Sequence, residues 1–485
     1  MLFNSVGFAL FLPIVFVLYW FVTRQNLLYQ NILLLISSYF FYACWDWRFL
    51  FLLVFSTFLD YSTAIKMYDS KNKMWKKFWF WLSICVNVGF LGFFKYYNFF
   101  VQSFAEGLSD IGLKANFWTL KIILPVGISF YTFHGLSYVI DIYNNRIRPE
   151  KNFIDYSVFV SFFPLLVAGP IERATHLLPQ IQQKRAFDYS KAADGLRQIL
   201  WGLFKKMVIA DNCAKFANNI FNYSDNFSGA TLFLGAFFFA VQIYCDFSGY
   251  SDIAIGTARL FGLDLLRNFA FPYFSRDIAE FWRRWHISLS TWFRDYLYIP
   301  LGGSKVGRWM KVRNILIIFL VSGFWHGANW TFIIWGFLNA IYIMPSILRK
   351  TNRNNLDIVG QGNYLPTIRE FFSMLVTFGL TVLAWIFFRE ENVSKAFHFV
   401  IKIFTGMFKN PAEIFLGSFW LPYITILILI GLFFVIEWLG REHQYALANM
   451  GLKWPKLFRM TFYFCIILTI FIFAGSQQKF IYFQF

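Results

Sequence analysis

Long apolar blocks alternate with short polar and charged segments along the whole of this chain. A helix needs about 20 apolar residues to cross a bilayer. The predicted spans are 6–23, 29–47, 49–65, 78–99, 119–143, 229–246, 314–329, 331–348, 371–388, 420–439 and 460–476, with a further candidate at 192–213. Apolar segments at 154–170 and 250–300 are broken by proline, glycine and charge, which is typical of re-entrant or interfacial helices. The pattern predicts an all-α polytopic membrane protein with about 11–12 transmembrane helices.

Composition and charge agree with a membrane protein. The 485 residues are 58% hydrophobic and 14% charged, whereas a soluble domain carries about 25% charged residues. The net charge of +18 comes from basic residues that cluster between the apolar blocks. This placement indicates cytoplasmic loops that follow the positive-inside rule, and it argues against nucleic-acid binding. Four such loops, at 66–77, 146–151, 305–313 and 349–353, place the N-terminus and the end of the last span outside.

Other general features narrow the class further. The start of the chain lacks a basic region and a cleavage site, so we predict a retained first span. The five scattered cysteines contain no C-x-x-C pair, and the histidines show neither H-x-x-x-H nor H-E-x-x-H spacing, so no disulfide framework or metal site is predicted. We detect no similarity between the two halves, which weighs against transporters built from repeats. We predict one integral membrane domain over residues 1–485.

His326 is the most informative residue, because it lies in the uncharged apolar stretch Gly323-Phe-Trp-His-Gly327. An ionisable residue inside a membrane segment is by default a functional hypothesis. If the span starts at Asn314 on the cytoplasmic side, His326 lies about 18 Å along the helix, past the midplane. Gly323 and Gly327 permit close helix approach, and Asn329 is placed to orient the ring if the helix continues. The alternative is an interhelical histidine bonded to a backbone carbonyl.

A second histidine, His286, lies in the polar and aromatic segment 275–296. Asp277 and Glu280 fit a capping box, which predicts a helix from about residue 278. An aromatic stripe then follows at spacings of three and four, formed by Phe281, Trp285, Leu289, Trp292, Phe293 and Tyr296. One interpretation is a cavity-lining helix with His286 in its wall and Arg283 and Arg284 facing an anionic donor. The other is an interfacial amphipathic helix.

Two further segments are candidates for the site. Asp246-Phe-Ser-Gly-Tyr-Ser-Asp252 is a polar cluster whose carboxylates either anchor a basic partner or serve structure alone. The C-terminal apolar tail, residues 477–485, is unusual for a chain terminus, which is normally polar. It either packs against the helices or inserts into a cavity, and Tyr482 carries the only hydroxyl of the last six residues.

Taken together, these segments resemble the membrane-bound O-acyltransferase family, and within it the bacterial branch that acetylates alginate and other envelope polysaccharides. The resemblance rests on the opening Phe-Leu-Pro, Ala168-Gly-Pro-Ile, Asp246-Phe-Ser-Gly-Tyr-Ser-Asp252, Phe281-Trp-Arg-Arg-Trp-His-Ile-Ser-Leu-Ser290, Trp292-Phe-Arg-Asp-Tyr296, Gly323-Phe-Trp-His-Gly327 and the closing Tyr-Phe-Gln-Phe. It implies a core at about 120–345 and a ring of helices around a thin central tunnel. It also implies that His326 is the catalytic histidine and His286 the second one. His134 stands where this branch is expected to carry glutamine.

The resulting hypothesis is acyl transfer across a bacterial inner membrane to an extracytoplasmic polysaccharide. The donor is a cytoplasmic thioester, acetyl-CoA before others, and no cofactor is held tightly. His326 acts as general base and His286 positions a substrate. Tyr482 is a candidate acyl relay, and an extracytoplasmic SGNH or serine-esterase-like acetyltransferase is the expected partner. The further cavity or donor-binding candidates are Arg283, Arg284, Trp285, Ser290, Trp325, Asn329 and Asp246.

Three other functions stay open from the residues. A transporter or flippase for a lipid-linked glycan explains the apolar chain and its basic faces, but it predicts flux without thioester consumption. A D-alanyl transferase acting on teichoic acid is a variant of the same chemistry. A scaffold of a secretion complex predicts tolerance of changes at both histidines.

Overall fold

The computed structural model describes residues 1–113, 119–120, 122–167, 169–409, 420–475, 478 and 480–481, and the regular elements within these ranges are all helices. The α-helices are α1 (Val6–Val17), α2 (Leu27–Asp46), α3 (Arg48–Asp69), α4 (Lys73–Leu91), α5 (Tyr97–Asp110), α6 (Ile128–Tyr143), α7 (Phe153–Ser161), α8 (Phe163–Leu166), α9 (Ala174–Ile181), α10 (Tyr189–Leu203), α11 (Asp211–Asn222), α12 (Gly229–Leu260), α13 (Ile278–Arg284), α14 (Ile287–Phe293), α15 (Arg308–His326), α16 (Trp330–Leu348), α17 (Ile368–Arg389), α18 (Val393–Gly406), α19 (Trp420–Gly440) and α20 (Lys456–Phe473). Four π-helical segments are Leu18–Val22, Gly92–Tyr96, Phe204–Ala210 and Arg294–Tyr298.

The polytopic all-α class is confirmed, although fewer helices than predicted meet the length and apolarity needed to cross a membrane. In the described part of the chain there are eight: Leu27–Asp46, Arg48–Asp69, Lys73–Asp110, Gly229–Leu260, Trp330–Leu348, Ile368–Arg389, Pro422–Gly440 and Lys456–Phe473. The apolar helix Val6–Val22 is shorter. The predicted span at 119–143 becomes helical only at Ile128, after Gly127 in the left-handed region (φ 74°). Basic residues in the first turns of α15 lower its mean hydropathy.

The chain divides into two compact units, Met1–Gly195 with Thr257–Leu266, and Leu196–Gly256 with Arg267–Phe485. In the first unit, a polar cluster joins α3, α4 and α6. The Asp60 carboxylate accepts hydrogen bonds from Ser83 Oγ (2.6 Å) and Asn87 Nδ2 (2.7 Å). Gly135 of α6 lies against this carboxylate, and a Cβ at that position would overlap it. Buried polar groups of this kind must be hydrogen-bonded, so the cluster specifies how these helices pack.

His134 also belongs to the first unit and is fully buried. Its Nε2 atom accepts a hydrogen bond from the backbone N–H of Glu172 (3.0 Å). The acceptor role requires the tautomer with the proton on Nδ1. His134 therefore ties α6 to the irregular segment that follows α8.

The second unit contains both candidate histidines. Its segment 267–271 runs beside 284–288, because the Ala270 N–H donates to the Arg284 carbonyl and the Ile287 N–H donates to the Asn268 carbonyl, both at 2.9 Å. These two backbone bonds interrupt the helical region that the sequence predicted as continuous. Trp285 and His286, the two residues between α13 and α14, lie between these two bonds.

Candidate active site

An antiparallel hairpin of α15 and α16 presents His326 at its turn. α15 ends at His326, Gly327 is extended, and α16 begins at Trp330. The two helices touch through glycine, because a Cβ at Gly323 would overlap the Phe332 carbonyl oxygen and a Cβ at Gly336 would overlap that of Phe319. The close approach predicted at Gly323 is thus confirmed, and Gly336 supplies its counterpart on α16.

The His326 ring lies among aromatic side chains and is 4% exposed. Ring centroids of Trp325, Trp335 and Phe388 lie 5.1, 5.2 and 5.5 Å from it, all in edge-to-face arrangements. Aromatic edges and faces of this kind hold a ring at a preferred angle. The histidine is therefore held by packing from α15, α16 and α17 together.

The predicted role of Asn329 in orienting His326 is wrong. The helix does not continue past His326, so Asn329 does not return to the histidine by helical spacing. Its side chain instead caps α16, accepting from the Thr331 N–H (3.0 Å), and donates to the Glu391 carbonyl (2.7 Å). Asn329 fixes the turn that carries His326, and it does so through the start of α16.

The helix predicted to begin at 278 does begin there, with Asp277 as N-cap accepting from the Glu280 N–H (2.7 Å). However, it ends at Arg284, so the aromatic stripe predicted for one helix is divided between α13 and the residues that follow it. Trp285 is extended, His286 adopts a left-handed conformation (φ 42°), and α14 starts at Ile287. Non-glycine residues rarely take this conformation, which costs about 1–3 kcal/mol, so the surrounding structure must hold it in place.

His286 is 1% exposed, and its ring packs against Phe247 of α12 (4.7 Å) and Phe269 (6.5 Å). The two histidines contact different rings, yet these rings form one aromatic cluster. Successive centroid distances are 5.1 Å from Phe269 to Trp285, 5.0 Å from Trp285 to Trp385, and 5.6 Å from Trp385 to Trp335, which contacts His326. The structure therefore brings His286 and His326 to one group of rings. We call this group, together with the two histidines, the histidine cluster; its rings are Phe247, Phe269, Trp285, Trp385, Trp335 and Phe388.

Trp335, Trp385 and Phe388 of the histidine cluster were missed from sequence, because aromatic residues are abundant throughout the chain. Among the candidates named from sequence, Trp285 is buried and stacks on Phe281 at 5.5 Å. Trp325 packs edge-on to Phe293 at 6.4 Å. Trp285 and Trp325 therefore lie where the predicted role, lining a buried site, requires them.

Ser290 has a local role in the second unit. Its hydroxyl donates to the Trp285 carbonyl at 3.3 Å. The bond spans the break between α13 and α14, and it supports the backbone that leads into His286. Ser290 thus lies beside the histidine cluster through the backbone of Trp285.

Arg283 and Arg284 bind the loop that precedes α17. Arg283 donates to the carbonyls of Asn352 (2.6 Å) and Asn355 (2.7 Å). Arg284 pairs with Glu280 (2.8 Å) and donates to the Asp357 carbonyl (2.8 Å). Both guanidinium groups are therefore engaged in holding the loop, and a role toward an anionic donor stays a prediction.

A third arginine strengthens the same attachment. Arg276 pairs with Glu280 (3.1 Å), Asp357 (3.0 Å) and Glu370 (3.2 Å). Its hydrogen bond to Asp357 holds the pKa of that carboxyl below its ordinary value. The carboxylate of Asp357 is thus charged at neutral pH, and it pairs with Arg276 just before the start of α13.

We expect Arg283→Met to loosen the loop at 352–355. The exposed Arg353 should be cut by trypsin several-fold faster, since two backbone hydrogen bonds to a charged group are lost. Time-resolved digestion followed by mass spectrometry measures this rate. Arg294→Met is the control, because Arg294 is 59% exposed and pairs with the adjacent Asp295. A higher KM for donor at an unchanged cleavage rate would instead assign Arg283 to donor binding.

Asp246 lies in the middle of α12 and pairs with Lys206 (2.7 Å). Lys206 is thus the predicted basic partner of this motif. The other carboxylate oxygen of Asp246 accepts from the Ile481 N–H (2.8 Å), so the C-terminal tail contacts the motif as well. Phe480 and Ile481 are buried, which agrees with a tail that packs into the second unit. The proposed relay residue, Tyr482, lies outside the described residues.

Comparisons with known proteins identify the family to which the chain belongs. The sequence model of the membrane-bound O-acyltransferase family matches residues 80–388, well over half of the chain. A peptidoglycan O-acetyltransferase of Helicobacter pylori is 35% identical over 100% of this chain and 98% of its own length. A protein of Pseudomonas putida named probable alginate O-acetylase is 35% identical over 99% of both chains. A teichoic acid D-alanyltransferase of Bacillus subtilis is 29% identical over 46% of this chain and 58% of its own.

Proposed function

Because the chain belongs to the membrane-bound O-acyltransferase family, we propose that it moves an acetyl group from a cytoplasmic thioester to an extracytoplasmic polysaccharide. The observation that carries this proposal is His326, buried at the end of a helix within the histidine cluster. Acetyl is favoured over D-alanyl because the relatives named for O-acetylation match the whole chain at higher identity than the D-alanyltransferase.

The position of His326 along α15 supports transfer across the membrane. Twelve helical steps separate Asn314, which follows the basic first turns of α15, from His326, and this is about 18 Å at 1.5 Å per residue. The basic start of α15 is predicted to be cytoplasmic, and the hydrocarbon core is about 30 Å thick. His326 then lies toward the outer face, where an extracytoplasmic hydroxyl arrives. The central tunnel that would bring the donor to this depth stays a prediction.

The proposed chemistry needs a general base and an active site from which water is excluded. Neutral imidazole is the major form of an unperturbed histidine at pH 7, since the pKa is about 6.5. His326 takes the proton of the acceptor hydroxyl while the hydroxyl oxygen attacks the thioester carbonyl carbon. The new C–O bond forms, the C–S bond breaks, and the departing thiolate receives the proton from the imidazolium. The aromatic rings around His326 exclude water, which would otherwise hydrolyse the thioester.

His286 is proposed to position a substrate carbonyl or hydroxyl, since it reaches the same cluster from another side. We further propose the bacterial inner membrane as the location and acetyl-CoA as the donor. An SGNH or serine-esterase-like acetyltransferase outside the membrane would pass the acetyl group on to the polymer. The H. pylori and P. putida relatives are named for peptidoglycan and for alginate, so the acceptor class is an envelope polysaccharide.

Reconstitution tests the function directly. Purified protein in liposomes is supplied with isotopically labelled acetyl-CoA on one face and an acceptor oligosaccharide on the other. We expect labelled acetyl esters on the acceptor and one free thiol for each ester. Replacing acetyl-CoA by D-alanyl carrier protein should give no product. Movement of a lipid-linked glycan without thiol release would instead favour the transporter.

The relay proposal for Tyr482 makes a separate prediction. Protein incubated with acetyl-CoA and no acceptor should gain the mass of one acetyl group, and Tyr482→Phe should not. Intact-mass analysis followed by peptide mapping locates the ester. Tyr463→Phe is the control, because it removes a hydroxyl from the adjoining helix α20. Equal acetylation and activity in wild type and Tyr482→Phe would rule out the relay.

A further inference from the structure

A buried group of three charges lies in the second unit, at the junction of α11, α12 and the π-helical segment Phe204–Ala210. Lys206 Nζ lies 2.7 Å from Asp246 and 2.8 Å from Asp211, and all three side chains are nearly inaccessible. Two carboxylates face one ammonium, so the group carries an excess negative charge. A buried charge is tolerated only when its remaining hydrogen-bonding capacity is filled.

The C-terminal tail fills part of this capacity with its main chain. The Ile481 N–H donates to Asp246 Oδ2 (2.8 Å), and Lys206 Nζ donates to the Gln478 carbonyl (3.3 Å). A third main-chain contact lies just before them, where Asn212 Nδ2 donates to the Phe473 carbonyl (3.2 Å). These main-chain contacts hold the tail at Gln478 and at Ile481.

One tail side chain is held in an aromatic socket beside the charged group. Phe480 is fully buried and packs on Tyr250 (4.5 Å) and Phe247 (6.1 Å). Phe247 is also the ring that contacts His286 at 4.7 Å. Phe247 therefore contacts both the docked tail and His286 of the histidine cluster.

We propose that Lys206, Asp211 and Asp246 form a clamp that docks the C-terminal tail and thereby positions its end for acyl transfer. The three are positioning residues, since they act through the tail main chain. The positioning role rests on the proposed acyl transfer, whereas docking of the tail does not depend on any substrate. An activity-independent measurement of docking therefore separates the two.

Carboxypeptidase digestion of the full-length protein in detergent, followed by intact mass, measures docking. In wild type, digestion should slow at Ile481, whose N–H is bound by Asp246. Lys206→Met and Asp246→Asn should lose Ile481 and Phe480 at least about tenfold faster, the factor expected from one hydrogen bond to a charged group. Lys206→Arg should restore part of the protection. Lys205→Met is the matched control, because it breaks the neighbouring buried pair with Asp252 (2.6 Å) and leaves the tail contacts in place.

Acetyl transfer is then measured on the same preparations. A lower kcat at unchanged donor KM in Lys206→Met and Asp246→Asn, together with faster digestion and a protected Lys205→Met, supports the clamp. Wild-type digestion rates in monodisperse Lys206→Met and Asp246→Asn overturn it. Faster digestion with full transfer overturns the positioning role. If wild type transfers no acetyl, the proposed function fails, while the digestion rates still decide whether the tail is clamped.

Discussion

Replacement of His326 by alanine is expected to lower acetyl transfer at least about 10²-fold, since a general base contributes about 10²–10⁴ in rate. The side chain ends α15 and contacts three aromatic rings, so alanine removes the base and leaves the hairpin glycine contacts intact. Thiol release from acetyl-CoA and ester formation on the acceptor are both measured. Both should fall together if one imidazole serves the transfer.

His398→Ala is the matched control for this experiment. His398 is 63% exposed and lies near Asp225 at 3.7 Å, away from the histidine cluster. It should keep wild-type activity, and size-exclusion chromatography should show all variants monodisperse. A folded His326→Ala protein with wild-type transfer would make His326 a packing residue. Sustained glycan movement in that variant would restore the transporter interpretation.

Gly336→Ala is expected to destabilise the protein by at least about 2 kcal/mol, at the upper part of the range for overpacking. The added methyl group would overlap a backbone carbonyl of α15, and backbone cannot rotate away as a side chain can. The α15–α16 hairpin must then separate, which displaces His326. Thermal unfolding in detergent, followed by tryptophan fluorescence, measures the loss.

The control for the hairpin is Gly379→Ala in α17, where a Cβ would meet no atom within 4 Å. That substitution should be neutral or stabilising, because alanine has the higher helix propensity. Gly323→Ala should behave like Gly336→Ala, since the two glycines face each other across the same contact. Equal unfolding temperatures for Gly336→Ala and Gly379→Ala would contradict the close approach.

The helical spans and the N-cap at Asp277 were predictable because they depend on neighbouring residues. The break at Trp285 and His286 was not, since it depends on backbone pairing with Asn268 and Ala270. Phe281, Trp285, Leu289, Trp292 and Phe293 are all buried, although the chain forms two short helices here and not one. Periodicity alone therefore cannot distinguish one helix from two.

In the candidate site, too, features that depend on local sequence were predictable and contacts between distant residues were not. His326 was identifiable because an ionisable residue in an apolar span is rare. The partners of Arg283 were not, since its acceptors are backbone carbonyls about 70 residues away along the chain. The same holds for Lys206, because its partners, Asp246 of α12 and the Gln478 carbonyl of the tail, are distant from it along the chain.

The left-handed backbone of His286 has a consequence for sequence variation at that position. A residue there must satisfy two demands, a φ of 42° and a ring-sized volume between Phe247 and Phe269. Alanine meets neither, so an alanine scan combines a strained backbone with a cavity and overstates the role of the imidazole. Asparagine tolerates the left-handed region far better. In a saturation library at position 286, the difference between asparagine and alanine reports the backbone demand, and that between histidine and asparagine reports the ring.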